Sequence, residues 1–207
     1  MRLREHLKTA FVTFLLTSAG WIVAGILLVR PGVQVSAPAN FLASEEGAAP
    51  ARSSRTADAI AGSGQWIIPV AGVGRGQLVD TYTQSRGGGA RVHNAIDIAA
   101  PAGTPVVAAA AGRVEKLFLS DDGGNTVYIR LPGGEILNYY AHLDAYAQGL
   151  REGQSVKQGQ FIGTVGSTGN ADPAAPHLHF AVYRMARGSA WHETGEPVNP
   201  FPLLTQR

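Results

Sequence analysis

The hydrophobic and polar positions of this chain fall into three textures. From Ala10 to Val29, 20 residues pass without a charge, and at 1.5 Å rise per residue a helix of that length spans about 30 Å, the thickness of a bilayer's hydrocarbon layer. From Pro31 to about Ser63 the chain is rich in Ala, Ser, Pro and Gly with scattered charge and no sustained apolar period, which predicts a flexible tether. Beyond residue 63, short apolar runs are punctuated by 21 of the 26 glycines, and this pattern predicts strands and tight turns rather than long helices.

Several runs can be placed. Residues 104–111 and 113–119 flank Gly112. Residues 126–130 and 135–142 flank Pro132-Gly133-Gly134, a hairpin turn signal. Residues 161–165 and 177–183 complete the set, with no fixed-period repeat and no low-complexity tract among them. The expected fold is all-β: one compact, mainly antiparallel domain over residues 64–207, preceded by a flank at 1–9, a membrane segment at 10–29 and a linker at 30–63.

Charge sharpens this division. Arg2, Arg4 and Lys8 stand against Glu5 before the apolar stretch, and only Arg30 follows it closely, so the positive-inside bias places the N-terminus in the cytoplasm and the domain outside the cytoplasmic membrane. A buried core helix is a poorer reading, since core helices rarely lack every charge. A cleaved signal peptide is the closer rival, with Val35-Ser36-Ala37 as its cleavage site, but the apolar run exceeds the usual 7–15 residues and Pro38 follows. The expectation is an uncleaved single-pass anchor.

Residues 64–207 carry eleven Lys/Arg and eleven Asp/Glu, which offers no basic face for nucleic acid. With no cysteine in the chain, disulfides, thiolate nucleophiles and cysteine metal sites are all excluded. Any metal must be held by imidazole and carboxylate.

His177 and His179 head a run in which Leu178, Phe180 and Val182 alternate with them. In a strand both imidazoles then project from one face while the apolar set anchors the other. His93 and Asp97 form a second pair. Fully extended they would stand about 13 Å apart, so the chain must bend between them for both to reach one ion. Catalytic zinc takes three protein ligands and keeps a fourth position open, and two imidazoles with one carboxylate meet that requirement. His142 and the remaining member of His-x-His could then handle the protons. The spacing leaves open which of His177 and His179 binds the metal.

The motifs His93-Asn94-Ala95-Ile96-Asp97, Ala100-Pro101-Ala102-Gly103-Thr104-Pro105-Val106, Tyr140-Ala141-His142-Leu143, Gly153-Gln154-Ser155-Val156-Lys157-Gln158-Gly159, Val165-Gly166-Ser167-Thr168-Gly169 and Pro176-His177-Leu178-His179-Phe180 resemble, in order and spacing, the lysostaphin-like or LytM-type zinc metallopeptidases. These cut peptides of bacterial peptidoglycan. The resemblance runs from Leu78 to Tyr183. It implies one zinc ion on His93, Asp97 and His179, with His142 and His177 as the catalytic pair. It also implies peptidoglycan peptides as substrate, and leaves room for protein regulators.

Two departures matter. Ala95 replaces a common glycine and should restrict the bend after His93, and Ala181 replaces a common glutamate that would steer an imidazole. Some relatives resemble degenerate domains that activate other hydrolases, but those lose ligand positions, and all five are retained here. A zinc peptidase for another exported peptide is the third reading. His6 and His192 are expected at the surface. Arg86 and Arg91 bracket the glycine loop and could grip substrate carboxylates, although packing or solvation is the simpler role. Tyr82, Tyr139 and Tyr140 could line a groove or simply sit half-buried in strands.

Overall fold

The computed structural model describes residues 66–206, so the expected anchor at 10–29 and linker at 30–63 lie outside the described residues. Among the described residues no helix is long and apolar enough to cross a membrane. In chain order the elements are β1 (Ser85–Arg86), β2 (Arg91–Val92), β3 (Ile96–Ala99), β4 (Pro105–Val107), β5 (Gly112–Ser120), β6 (Gly124–Arg130), β7 (Ile136–Tyr146), β8 (Ser155–Val156), β9 (Phe161–Val165), β10 (His177–Arg184), β11 (Glu196–Val198) and helix α1 (Pro200–Thr205). All strand pairs are antiparallel, and the main sheet runs β11-β10-β7-β6-β5-β8. The expected all-β, antiparallel class therefore holds for this domain.

Alternation decides the faces. In β10, Leu178, Phe180 and Val182 are fully buried and join Ile96, Ile129, Leu143 and Ile162 in the core. Full burial of such side chains contributes about 1.5–3 kcal/mol each. The intervening His177 and His179 are thereby held on the opposite face. β3 pairs with one edge of β10, setting His179 opposite Asp97, and β7 pairs with the other edge, setting His179 opposite Ala141. Three segments distant in sequence are thus aligned at one residue.

The hairpin expected at Pro132-Gly133-Gly134 joins β6 to β7. Leu131 N donates to Ile136 O at 2.9 Å, and Gly133 and Gly134 take positive φ values of 93° and 80°, a region that side chains with a Cβ avoid. The expected run 104–111 is largely not a strand. Only Pro105–Val107 pairs, a register shift falls between Val106 and Val107, and Ala108 N then bonds Gln160 O while Ala109 N bonds the Tyr140 hydroxyl. This alanine segment is apolar because it is buried, not because it is laddered. Helix α1 was not expected either. Asn199 caps it by accepting from Phe201 N at 2.9 Å, with Pro200 as its first residue, but six residues are too few to show a helical period.

Candidate active site

Two of the three ligand candidates, His93 and Asp97, are positioned by one buried residue, Thr81. Its carbonyl accepts a hydrogen bond from His93 Nδ1 at 3.0 Å and its hydroxyl accepts one from Asp97 N at 3.0 Å. The chain does bend between His93 and Asp97, but the positive φ falls on Asn94, at 56°. Asparagine tolerates that region, so the expectation that Ala95 restrains the bend is corrected: Ala95 is outside the left-handed region and is fully buried.

The result is a tight triangle. His93 Nε2 lies 3.0 Å from His179 Nδ1 and 3.0 Å from Asp97 Oδ1, and His179 Nδ1 lies 3.1 Å from Asp97 Oδ1. A tetrahedral zinc with bonds of 2.0–2.1 Å separates its ligand atoms by about 3.3 Å. Because His93 Nδ1 is committed to Thr81, the neutral ring presents a lone pair from Nε2. Two imidazole nitrogens and a carboxylate oxygen crowded this closely have too few protons among them to be mutually satisfied, whereas one divalent cation would satisfy all three. His93, Asp97 and His179 thus fit a metal.

The electrostatics agree. Burial pushes the Asp97 carboxyl up, but contacts with His179 and His93 outweigh it and hold the group well below the usual carboxylate range. Burial pushes the His179 imidazole down, against the pull of Asp97. The metal-ready, deprotonated forms are therefore the favoured ones.

His142 and His177 stand beside the triangle. Their ring centroids are 5.0 Å apart, His142 lies 5.6 Å from the His179 ring, and His177 Nε2 is 3.8 Å from Asp97 Oδ1. His142 Nδ1 donates to Thr168 O and His177 Nδ1 to Ala175 O, each at 2.8 Å. Both rings are thereby fixed with Nε2 available as acceptor. Burial pushes the His142 pKa down, against its bond to Thr168. His142 itself has φ 60°, a conformation that costs a non-glycine residue about 1–2 kcal/mol. It coincides with the point where β7 leaves β6 and turns to β9, and it re-aims the ring toward the groove.

Two turns hold His142 in place. Its amide donates to Gly123 O at 2.8 Å, and Gly124 and Gly169 are so closely apposed, both at positive φ, that a Cβ on Gly124 would overlap Thr168 and the Gly169 backbone. Gly124→Ala is expected to cost about 1–3 kcal/mol and to lower turnover while zinc content stays at wild-type level. Denaturant unfolding and metal analysis of the same preparation check this.

The groove around these groups has a volume of about 510 Å³ and is also lined by Arg86, Arg91, Asp122, Tyr139 and Asp172. Arg86 Nη2 lies 2.5 Å from Asp97 Oδ2 and over the His93 ring, 3.2 and 3.3 Å from its nitrogens, so it holds the carboxylate's outer oxygen while Oδ1 faces the histidines. Tyr139 does line the groove, 5.9 Å from the His179 ring, and burial pushes its phenol far up. Tyr140 does not line it, being fully buried in the core, and Tyr82 is turned away to donate to Pro197 O. His192 is exposed beside Trp191, outside the groove lining. His6 lies outside the described residues. Ala181 is buried with no polar atom to steer a ring. No sequence pattern marks Thr81, since a lone threonine acting partly through its carbonyl carries no motif.

Several known proteins resemble this chain in sequence and fold. The sequence model of Peptidase family M23 matches residues 91–200. An L-Ala--D-Glu endopeptidase of Bacillus subtilis (strain 168) is 36% identical over 130 residues, covering 60% of this chain and 38% of that protein. Murein hydrolase activator NlpD of Escherichia coli (strain K12) is 34% identical over 132 residues, covering 64% of this chain and 30% of that protein. The crystal structure of a zinc containing peptidase from Vibrio cholerae matches with a TM-score of 0.50 and 29% identity, over 65% of this chain and 41% of that one. The match thus spans well under half the length of each of these proteins.

Proposed function

Because the chain belongs to peptidase family M23, we propose that it is a zinc-dependent endopeptidase that hydrolyses peptide cross-links or stem peptides of bacterial peptidoglycan. The observation that carries this reading is the triangle of His93 Nε2, Asp97 Oδ1 and His179 Nδ1, with all edges at 3.0–3.1 Å, set beside two further imidazoles whose Nδ1 atoms are tied to backbone carbonyls. One zinc ion held by that triangle supplies a Lewis acid that polarises a peptide carbonyl and acidifies an attacking water.

The protein's own groups do the rest. His142 and His177, tied at Nδ1 to Thr168 O and Ala175 O, accept the proton of the attacking water at Nε2. Once protonated, one of them returns it to the departing amine. Their rings also donate to the oxygen on which negative charge develops. The apolar segment 10–29 supports a location at the cytoplasmic membrane, with the N-terminus inside and the domain in the periplasm or outside the cell, where the substrate lies.

Likeness to a murein hydrolase activator makes a non-catalytic role the second reading. Retention of all five histidine and aspartate positions favours hydrolysis. The test is digestion of purified wall material followed by mass spectrometry of the released muropeptides. New amino termini are expected, lost on chelation and restored by zinc. A protein that purifies without stoichiometric zinc and leaves the wall intact supports the activator reading. Cleavage of a small protein substrate with the wall untouched supports a peptidase for another exported peptide.

A further inference from the structure

Arg86 and Arg91 are direct partners in the β1–β2 ladder, and both line the groove. Directly opposed like charges on a two-stranded ribbon repel, and this ribbon has only two residues per strand and three glycines at its tip, all at positive φ. It pays for that repulsion with nothing in its own ladder. The charge of Arg86 is taken up by Asp97. Arg91 is exposed, and among the described residues no hydrogen bond or ion pair engages its guanidinium. Asp122 and Asp172 also line the groove and belong to the segments that hold His142 and His177. An anionic group is repelled there and drawn to the hairpin.

We infer that Arg91, backed by Arg86, is the carboxylate-recognition point of the groove, so that the substrates are peptides bearing a free carboxylate close to the scissile bond and not neutral or amidated bridges. This rests on the peptidase reading above and adds a substrate class to it. Arginine suits the role because its planar guanidinium meets a carboxylate with two parallel hydrogen bonds. The like-charge pair then makes sense as a local conflict kept for binding. Arg91 is a specificity residue here. Arg86, in contact with Asp97, is a positioning residue.

The test uses cross-linked wall fragments prepared with every peptide carboxyl free, and the same fragments with those carboxyls amidated. Affinity is measured by calorimetry on the zinc-loaded full chain carrying His142→Ala, so that the fragments survive the titration. The free-carboxyl form is expected to bind about tenfold more tightly. Arg91→Gln should abolish the difference, Arg91→Lys should keep part of it, and added salt should shrink it. Equal affinity for the two forms, or a preference that survives Arg91→Gln, overturns the inference.

Cleavage of the same pair by the chain with His142 intact separates this from the peptidase reading. Hydrolysis of both forms at equal kcat/KM sinks the inference alone. A carboxylate preference in binding with neither form hydrolysed sinks the peptidase reading alone.

Discussion

Replacing His179 with alanine is expected to abolish zinc binding and hydrolysis together. His179 is the corner of the triangle shared by two strands: β3 brings Asp97 opposite it and β7 brings Ala141 opposite it. Without its Nδ1, two ligand atoms remain, one below the minimum for a catalytic zinc site. Fold loss is not the expected cause, because the side chain lies on the groove face while Leu178 and Phe180 anchor β10 in the core. Equilibrium dialysis with elemental analysis should find less than about a tenth of an equivalent of zinc where the unaltered chain holds one, since loss of even a supporting contact costs 10–100-fold in metal affinity. Full zinc occupancy in the variant would remove His179 from the ligand set.

The second large effect separates holding the metal from using it. His142→Ala is expected to keep its zinc and to lose turnover by about 10²–10⁴-fold, the usual contribution of a positioned acid–base group. The position has φ 60°, where alanine is strained, so His142→Asn is the better-matched control: asparagine tolerates the left-handed region but cannot exchange a proton near neutral pH. Both variants should lose turnover alike, with KM changed little. Metal loss in His142→Asn equal to that in His179→Ala would show that the division between ligands and proton carriers is drawn in the wrong place.

Much of this site was legible before any coordinates. The alternation at His177-Leu178-His179-Phe180 states which face is core, and β9 begins and ends at the expected Phe161 and Val165, because glycines on either side leave no room to slide. The need for a bend between His93 and Asp97 follows from strand rise alone. The residue that carries the bend did not, since a positive φ on Asn94 is settled by backbone bonds from His93 N to Gln84 O and from Asn94 N to Tyr82 O, which depend on tertiary placement.

The same reason hid Thr81, Thr168 and Ala175. Each orients a histidine through its carbonyl, and a carbonyl is common to every residue type. Tyr139 and Tyr140 are adjacent in sequence, and only the pleat, with the Ala109 amide donating to the Tyr140 hydroxyl, decides that one lines the groove and the other fills the core.

The close apposition of Gly124 and Gly169 has a consequence for engineering. The turn between β5 and β6 and the segment leading into β10 meet backbone to backbone, and neither can take on bulk unless the other recedes. A graft intended to redirect bond preference, carrying only one of these loops from a relative, should disturb the aim of His142. Moving both as a single cassette should preserve it.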